Sequence, residues 1–144
     1  MKSIVVEGVR DSIVLDILFP EIKEKHIMLR IAQGFSNVLA VTRTLMDYGH
    51  NVLIMLDTDS NLPGQDKRMV LDRLQSNVFV GRRMNIVWMD SCLEMVLERA
   101  IPGIWTLRKN RTQEFSHVIM ENEKPLKELD EFKKIAAFIK EDER

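Results

Sequence analysis

The sequence predicts an α/β protein, a mainly parallel open sheet of about four strands with helices on both faces, plus a C-terminal helix. Three observations carry that expectation. The runs Ile4-Val5-Val6, Val52-Leu53-Ile54-Met55-Leu56 and Ile86-Val87-Trp88-Met89 are apolar without alternation, as strands buried on both faces are. Between them lie stretches with apolar residues at three- and four-residue spacing, the stripe of a helix docked on a sheet. Turn-forming residues punctuate the boundaries, and strands alternating with helices imply βαβ crossovers.

Taken in order, Ile4-Val5-Val6 is the first strand, and Asp11 or Ser12 is positioned to cap a helix carrying Val14, Leu15, Ile17 and Leu18, which Pro20 stops. Residues 26–31 read as the second strand. Gly34 breaks it, and Ser36 or Asn37 opens a helix with Val38, Val41, Thr42, Leu45 and Met46 on one face and Gly49 as its C-terminal glycine. The third strand ends in Asp57. A loop, Ser60-Asn61-Leu62-Pro63-Gly64, then leads past Asp66 to a helix through Val70, Leu71 and Leu74. Val78-Phe79-Val80 suggests a short extra strand and Gly81-Arg82-Arg83 a turn before the fourth main strand at 86–89. Residues 91–101 read as a helix ended by Pro102-Gly103. Beyond Ile104 the pattern changes: 107–111 is basic and irregular, and 115–120 fits a strand or a helix. Pro125 opens a terminal helix whose Leu126, Leu129, Phe132, Ile135, Ala136 and Ile139 form one stripe, with the last residues frayed. The expected organisation is an α/β domain over 1–103 and an extension over 104–144 packed on it.

With 144 residues and 45% hydrophobic content, the chain suffices for one core. One cysteine, Cys92, rules out an internal disulfide, and no Cys/His grouping supplies a structural zinc. A reducing cytoplasmic setting is expected, with no signal peptide and no membrane partner, since no apolar run reaches the length of a span. The net charge of −1 means that any nucleic-acid binding rests on local basic patches.

The chemistry is concentrated in two acidic signals. Glu7 and Asp57 each follow an apolar run, and in open α/β sheets ligands gather where strands end. In extended backbone Asp57 and Asp59 face one way, and Glu7 can join them from a neighbouring strand. Two carboxylates about 4 Å apart repel by roughly 4 kcal/mol at an effective dielectric near 20, so such a cluster calls for a hard divalent cation. The segment Asp57-Thr58-Asp59-Ser60-Asn61 also has the composition of a polar turn and helix cap.

Val6-Glu7-Gly8-Val9-Arg10-Asp11 carries a VEGxxD pattern, and Leu56-Asp57-Thr58-Asp59 a DxD pattern, in that order, with Gly34 and Asn37 near a glycine-containing turn between them. In these motifs residues 1–103 resemble the Toprim domain, shared by topoisomerases, bacterial primases, small ribosomal-RNA maturases and nucleases of the overcoming-lysogenisation-defect type. The resemblance implies Mg²⁺, with Mn²⁺ as substitute, held by Glu7, Asp57 and Asp59, and catalysis of nucleic-acid phosphodiester cleavage by the same three residues. Asp11 and Glu94 would be accessory. Glu94 lies in a segment, 90–97, that resembles the LExxL stretch after the fourth strand of small Toprim relatives; Ser91-Cys92-Leu93-Glu94 also reads as a capping box. Arg10, Lys67, Arg68, Arg82 and Arg83 are the phosphate-binding candidates, as charge-assisted donors. DNA or RNA is the expected partner. A Toprim-like module that binds nucleic acid or a partner protein without turnover is the alternative.

Two features depart from the pattern. Ser60-Asn61-Leu62-Pro63 separates DxD from the next glycine, and no separate domain supplies a topoisomerase tyrosine. A phosphoacceptor receiver, with Asp57 as acceptor, would need a lysine after the fourth strand, and none follows 86–89. Trp88 is expected in the core, and Cys92 as a buried structural thiol. His26, His50 and His117 are scattered and form no relay.

Overall fold

The structure is a computed structural model that describes residues 1–58, 67–76, 84–107 and 111–141, with the backbone alone at 70, 73–76 and 105. The expected loop at 60–64, Asp66, the extra strand at 78–80, the turn at 81–83 and the basic residues 108–110 lie outside the described residues. So does Asp59, along with Arg82 and Arg83.

Four parallel strands form one sheet: β1 (Lys2–Val6), β2 (Met28–Ile31), β3 (Asn51–Asp57) and β4 (Met84–Met89), in the spatial order β2-β1-β3-β4. Strand alternation divides the core in two. Ile4, Val6, Leu53, Met55, Val87 and Met89 face a layer built from α1 (Val9–Leu18), α5 (Leu93–Glu98), α6 (Thr112–Glu121), α7 (Glu123–Lys127) and α8 (Asp130–Lys140). Val5, Val52, Ile54 and Leu56 face α3 (Phe35–Asp47) and α4 (Lys67–Ser76). A short α2 (Glu21–Glu24) follows α1. The result is the three-layer α/β arrangement that the unbroken apolar strands required. No helix among the described residues is long and apolar enough to cross a membrane.

Because β1 pairs with β2 on one side and β3 on the other, the chain reverses its direction of winding between β1 and β3. The crevice beyond the carboxyl ends of that strand pair is where open α/β sheets bind ligands.

Several boundaries differ from expectation, each for a local reason. The first helix starts at Val9, after Gly8, and Asp11 acts from inside the first turn: its Oδ2 accepts the Gly8 N–H at 2.9 Å. His26 has φ 57, outside the extended region, so the second strand starts at Met28. The third helix starts at Phe35, and Gly34, with φ 114, supplies the turn into it. Its other end closes as expected: Gly49, at φ 90, donates to the Met46 carbonyl while His50 donates to that of Leu45, a Schellman pair. Ser91 has φ 66, which is incompatible with a helix, so α5 begins at Leu93 with Cys92 as its N-cap. The expected Ser91–Glu94 capping box is therefore not formed. The ambiguous segment at 115–120 is helical, within α6. Pro125 lies inside α7 instead of opening one long helix, and α8 starts separately at Asp130. The stripe was read correctly all the same, because Leu126, Phe132, Ile135 and Ile139 are fully or almost fully buried. Trp88 is only partly buried, its ring under the Arg68 guanidinium at 5.0 Å.

The chain's two ends are joined. The buried Lys2 Nζ donates to the carbonyls of Phe138, at 2.6 Å, and of Glu141, and Lys25 Nζ donates to that of Ile139 at 3.1 Å. Two ammonium groups thus satisfy the last carbonyls of α8 and complement the negative end of its dipole. Lys2→Met is expected to destabilise the protein by about 1–2 kcal/mol, because it leaves buried carbonyls unpaired. Urea denaturation followed by circular dichroism measures this, and an unchanged midpoint would count against it.

Candidate functional site

A cavity of about 950 Å³ opens at the crevice between the carboxyl ends of β1 and β3. Several helix starts border it, among them those of α1 at Gly8 and Val9, α3 at 34–37 and α5 at Cys92 and Leu93. Glu7, Asp11, Asp57 and Glu94 all line it, as do Arg10 and Lys67. Five of the residues singled out from sequence outside the third strand therefore meet in one place, together with Asp57 at that strand's end. Arg68 does not: it lies on α4 over Trp88, on the far layer.

Asp57 is set by β3. It shares strand parity with Leu53 and Met55, so its carboxylate points toward the α1 and α5 layer, where Oδ1 accepts the Leu93 N–H at 3.1 Å. The next residue fixes the same junction, since Thr58 Oγ1 accepts the Ser91 N–H at 2.6 Å. The left-handed backbone of Ser91 serves to aim that donor at β3. Nothing in the residue type of Ser91 signals this.

Glu7 stands one residue past β1. Its Oε1 lies 3.2 Å from Lys67 Nζ, and the same ammonium donates to the Asp57 carbonyl at 3.0 Å. Lys67 also sits over the Phe35 ring, 5.4 Å from its centroid. It is only 7% exposed. A residue read from sequence as a phosphate contact is thus an internal cation binding the ends of β1 and β3 together.

Arg10 is similarly engaged. Its guanidinium stacks on Phe115 at 4.5 Å, donates to the Leu107 carbonyl at 3.1 Å and lies 3.7 Å from Glu94 Oε1. It joins α1, α5 and α6 at one wall of the cavity.

The carboxylates perturb one another. Burial, then the charge of Glu7 and of Glu94, pushes Asp57 up to about 6, against the opposing effects of Lys67 and the Leu93 N–H. Burial, then the charge of Asp57, pushes Asp11 up to about 7, although the Gly8 N–H opposes it. Among the described residues, four acidic groups and two basic ones line the cavity. That excess of negative charge is what a bound cation would relieve.

As a ligand set the site is suited in kind, offering carboxylate oxygens to a hard ion. Among the described residues, however, no group of three His, Cys, Asp or Glu side chains is arranged to hold a metal. Asp59, the third expected ligand, lies outside those residues. Cys92 borders the cavity, half-buried at the N-cap of α5, and burial pushes its thiol up from the ordinary value. That is the electrostatic setting of an inert thiol, not a nucleophile.

At the opposite end of the sheet, buried Ser3 and His50 share a 2.6 Å hydrogen bond between Oγ and Nδ1. This pair was not legible in the sequence, because 47 residues separate its members.

No protein-family model matches the chain, and comparisons with curated proteins and with solved structures gave no match either.

Proposed function

We propose that the chain is a Toprim-type, Mg²⁺-dependent enzyme that hydrolyses nucleic-acid phosphodiesters. The observation that carries the reading is the meeting of Glu7 and Asp57 at the ends of adjacent parallel strands, close enough for one ammonium to contact both residues. Asp59 is two residues beyond Asp57 and would complete the set. Bound there, Mg²⁺ would lower the pKa of an attacking water and neutralise charge on the phosphoryl group. The chain's own residues do the rest. Glu7 and Asp57 supply the oxygen donors, with Asp57 oriented by the Leu93 N–H. Asp11, buried beside them, holds the start of α1 in place by accepting the Gly8 N–H. The first turn of α3 has no side-chain cap and borders the cavity, so its amide groups and dipole favour an approaching phosphate.

Purified protein incubated with single- and double-stranded DNA and RNA, in Mg²⁺, Mn²⁺ or chelator, tests this. Cleavage is expected only with a divalent ion and should fall by about a thousandfold or more in Asp57→Ala. One observation favours the non-catalytic alternative, a module that binds nucleic acid or a partner protein: Glu7 is already paired with Lys67. Binding of Mn²⁺ and nucleic acid with no cleavage of any substrate would select that alternative. Absence of both cleavage and metal binding would end the Toprim reading.

A further inference from the structure

Lys67 is placed where its own helix disfavours it. It is the first residue of α4, at the positive end of the helix dipole, where acidic side chains are the stabilising ones. Its side chain is nonetheless buried, with the ammonium against Glu7 Oε1, the Asp57 carbonyl and the face of Phe35. A compact ammonium with three donors, held by a carboxylate, a carbonyl oxygen and a ring face, stands in the kind of environment that a small inorganic cation takes.

We propose that Lys67 is an internal counter-ion for the acidic site, and that its ammonium and a divalent cation are alternative occupants of the space between Glu7 and Asp57. In the metal-free protein Lys67 offsets part of the negative charge at the ends of β1 and β3. A cation entering the site draws on the same Glu7 oxygen, and two positive centres that close repel, so Lys67 must swing out for the ion to bind. Lys67 thereby sets the threshold concentration at which the site loads. The inference rests on the metal-binding reading above and adds a competitor to it.

Mn²⁺ binding, followed by electron paramagnetic resonance and by calorimetry, measures the competition without reference to turnover. Lys67→Met and Lys67→Gln remove the charge, Lys67→Arg keeps it, and circular dichroism checks the fold of each. The neutral variants should bind Mn²⁺ at least tenfold more tightly than the wild type, whereas Lys67→Arg should bind no more tightly. In the wild-type protein, Mg²⁺ should raise the rate of Lys67 acylation by a small amine reagent several-fold, read by mass spectrometry. This second measurement stands even if the neutral variants fail to fold. Equal Mn²⁺ affinity in wild type and neutral variants, or unchanged acylation in a protein that binds Mg²⁺, would overturn the proposal and leave the metal site standing. No Mn²⁺ binding by any form would overturn both.

Discussion

Asp11→Asn is expected to raise the melting temperature of the metal-free protein at pH 8 and to leave it nearly unchanged at pH 4. The sign follows from linkage. Burial and the neighbouring charge of Asp57 push Asp11 from an ordinary value of 3.8 up to about 7, so the folded protein holds this proton more tightly than the unfolded chain does. Stability therefore declines as pH rises from about 4 toward 7, because folding then demands either an extra proton or a buried, repelled charge. Asp57, raised to about 6 by burial and by Glu7, adds to the same slope over a narrower window. One pKa unit corresponds to about 1.4 kcal/mol, so removing the Asp11 charge should recover on the order of 3 kcal/mol above pH 7. For a chain of this length that is about 5–10 °C.

Asparagine keeps an oxygen for the Gly8 N–H, so the helix start survives the change. Differential scanning calorimetry of wild type and Asp11→Asn across pH 4–8 would show the two curves separating as pH rises. Parallel curves would mean that Asp11 ionises without cost. The same measurement with Mn²⁺ bears on function, since a cation at Glu7 and Asp57 would offset the charge and shrink the gap between the two proteins.

How much of this was legible in the sequence depended on whether a feature is local or set by long-range contact. The first and third strands could be read because each is a short apolar run buried on both faces, and Gly49 because a helix end needs a left-handed residue there. The meeting of Glu7 and Asp57 was also within reach, since strand-end position follows from the order of strands and helices. Boundaries set by one residue's torsion were not. His26 and Ser91 both adopt positive φ although neither is glycine, and each moved the start of an element by two residues. The role of Lys67 was hidden for a different reason. A lysine next to an arginine at the start of a helix was read as a phosphate contact, and only the long-range contacts of its ammonium with Glu7 and Asp57 show that it is buried. Arg10 was likewise read as a phosphate ligand, because the sequence could not show that Phe115 and Leu107, about a hundred residues later, come to lie against it.

That last contact points to the larger structural prediction: residues 104–144 are needed for residues 1–103 to fold. Phe115, Ile119, Leu126, Phe132 and Ile135 are each 0% exposed, and they belong to the same cluster as Ile4, Leu15 and Leu18. Without them, the face of the sheet that carries Ile4, Leu53 and Val87 would be covered by α1 and the short helices α2 and α5. Phe115→Ala should cost about 3–5 kcal/mol, the range for an aromatic ring removed from a packed core, which is a large part of a typical domain stability of about 5–15 kcal/mol. It should also loosen the cavity wall, because Arg10 loses the ring that holds it beside Glu94. A chain ending at Gly103 removes α6, α7 and α8 together, and with them the Arg99–Glu131 ion pair at 2.8 Å and the carbonyls that Lys2 and Lys25 cap. It should show no cooperative thermal transition and should be degraded rapidly by limited proteolysis. Cooperative melting of that fragment would mean that the C-terminal helices are an addition to a self-sufficient domain. In that case the Arg10–Phe115 contact would be a feature of the cavity wall and not part of what holds the sheet together.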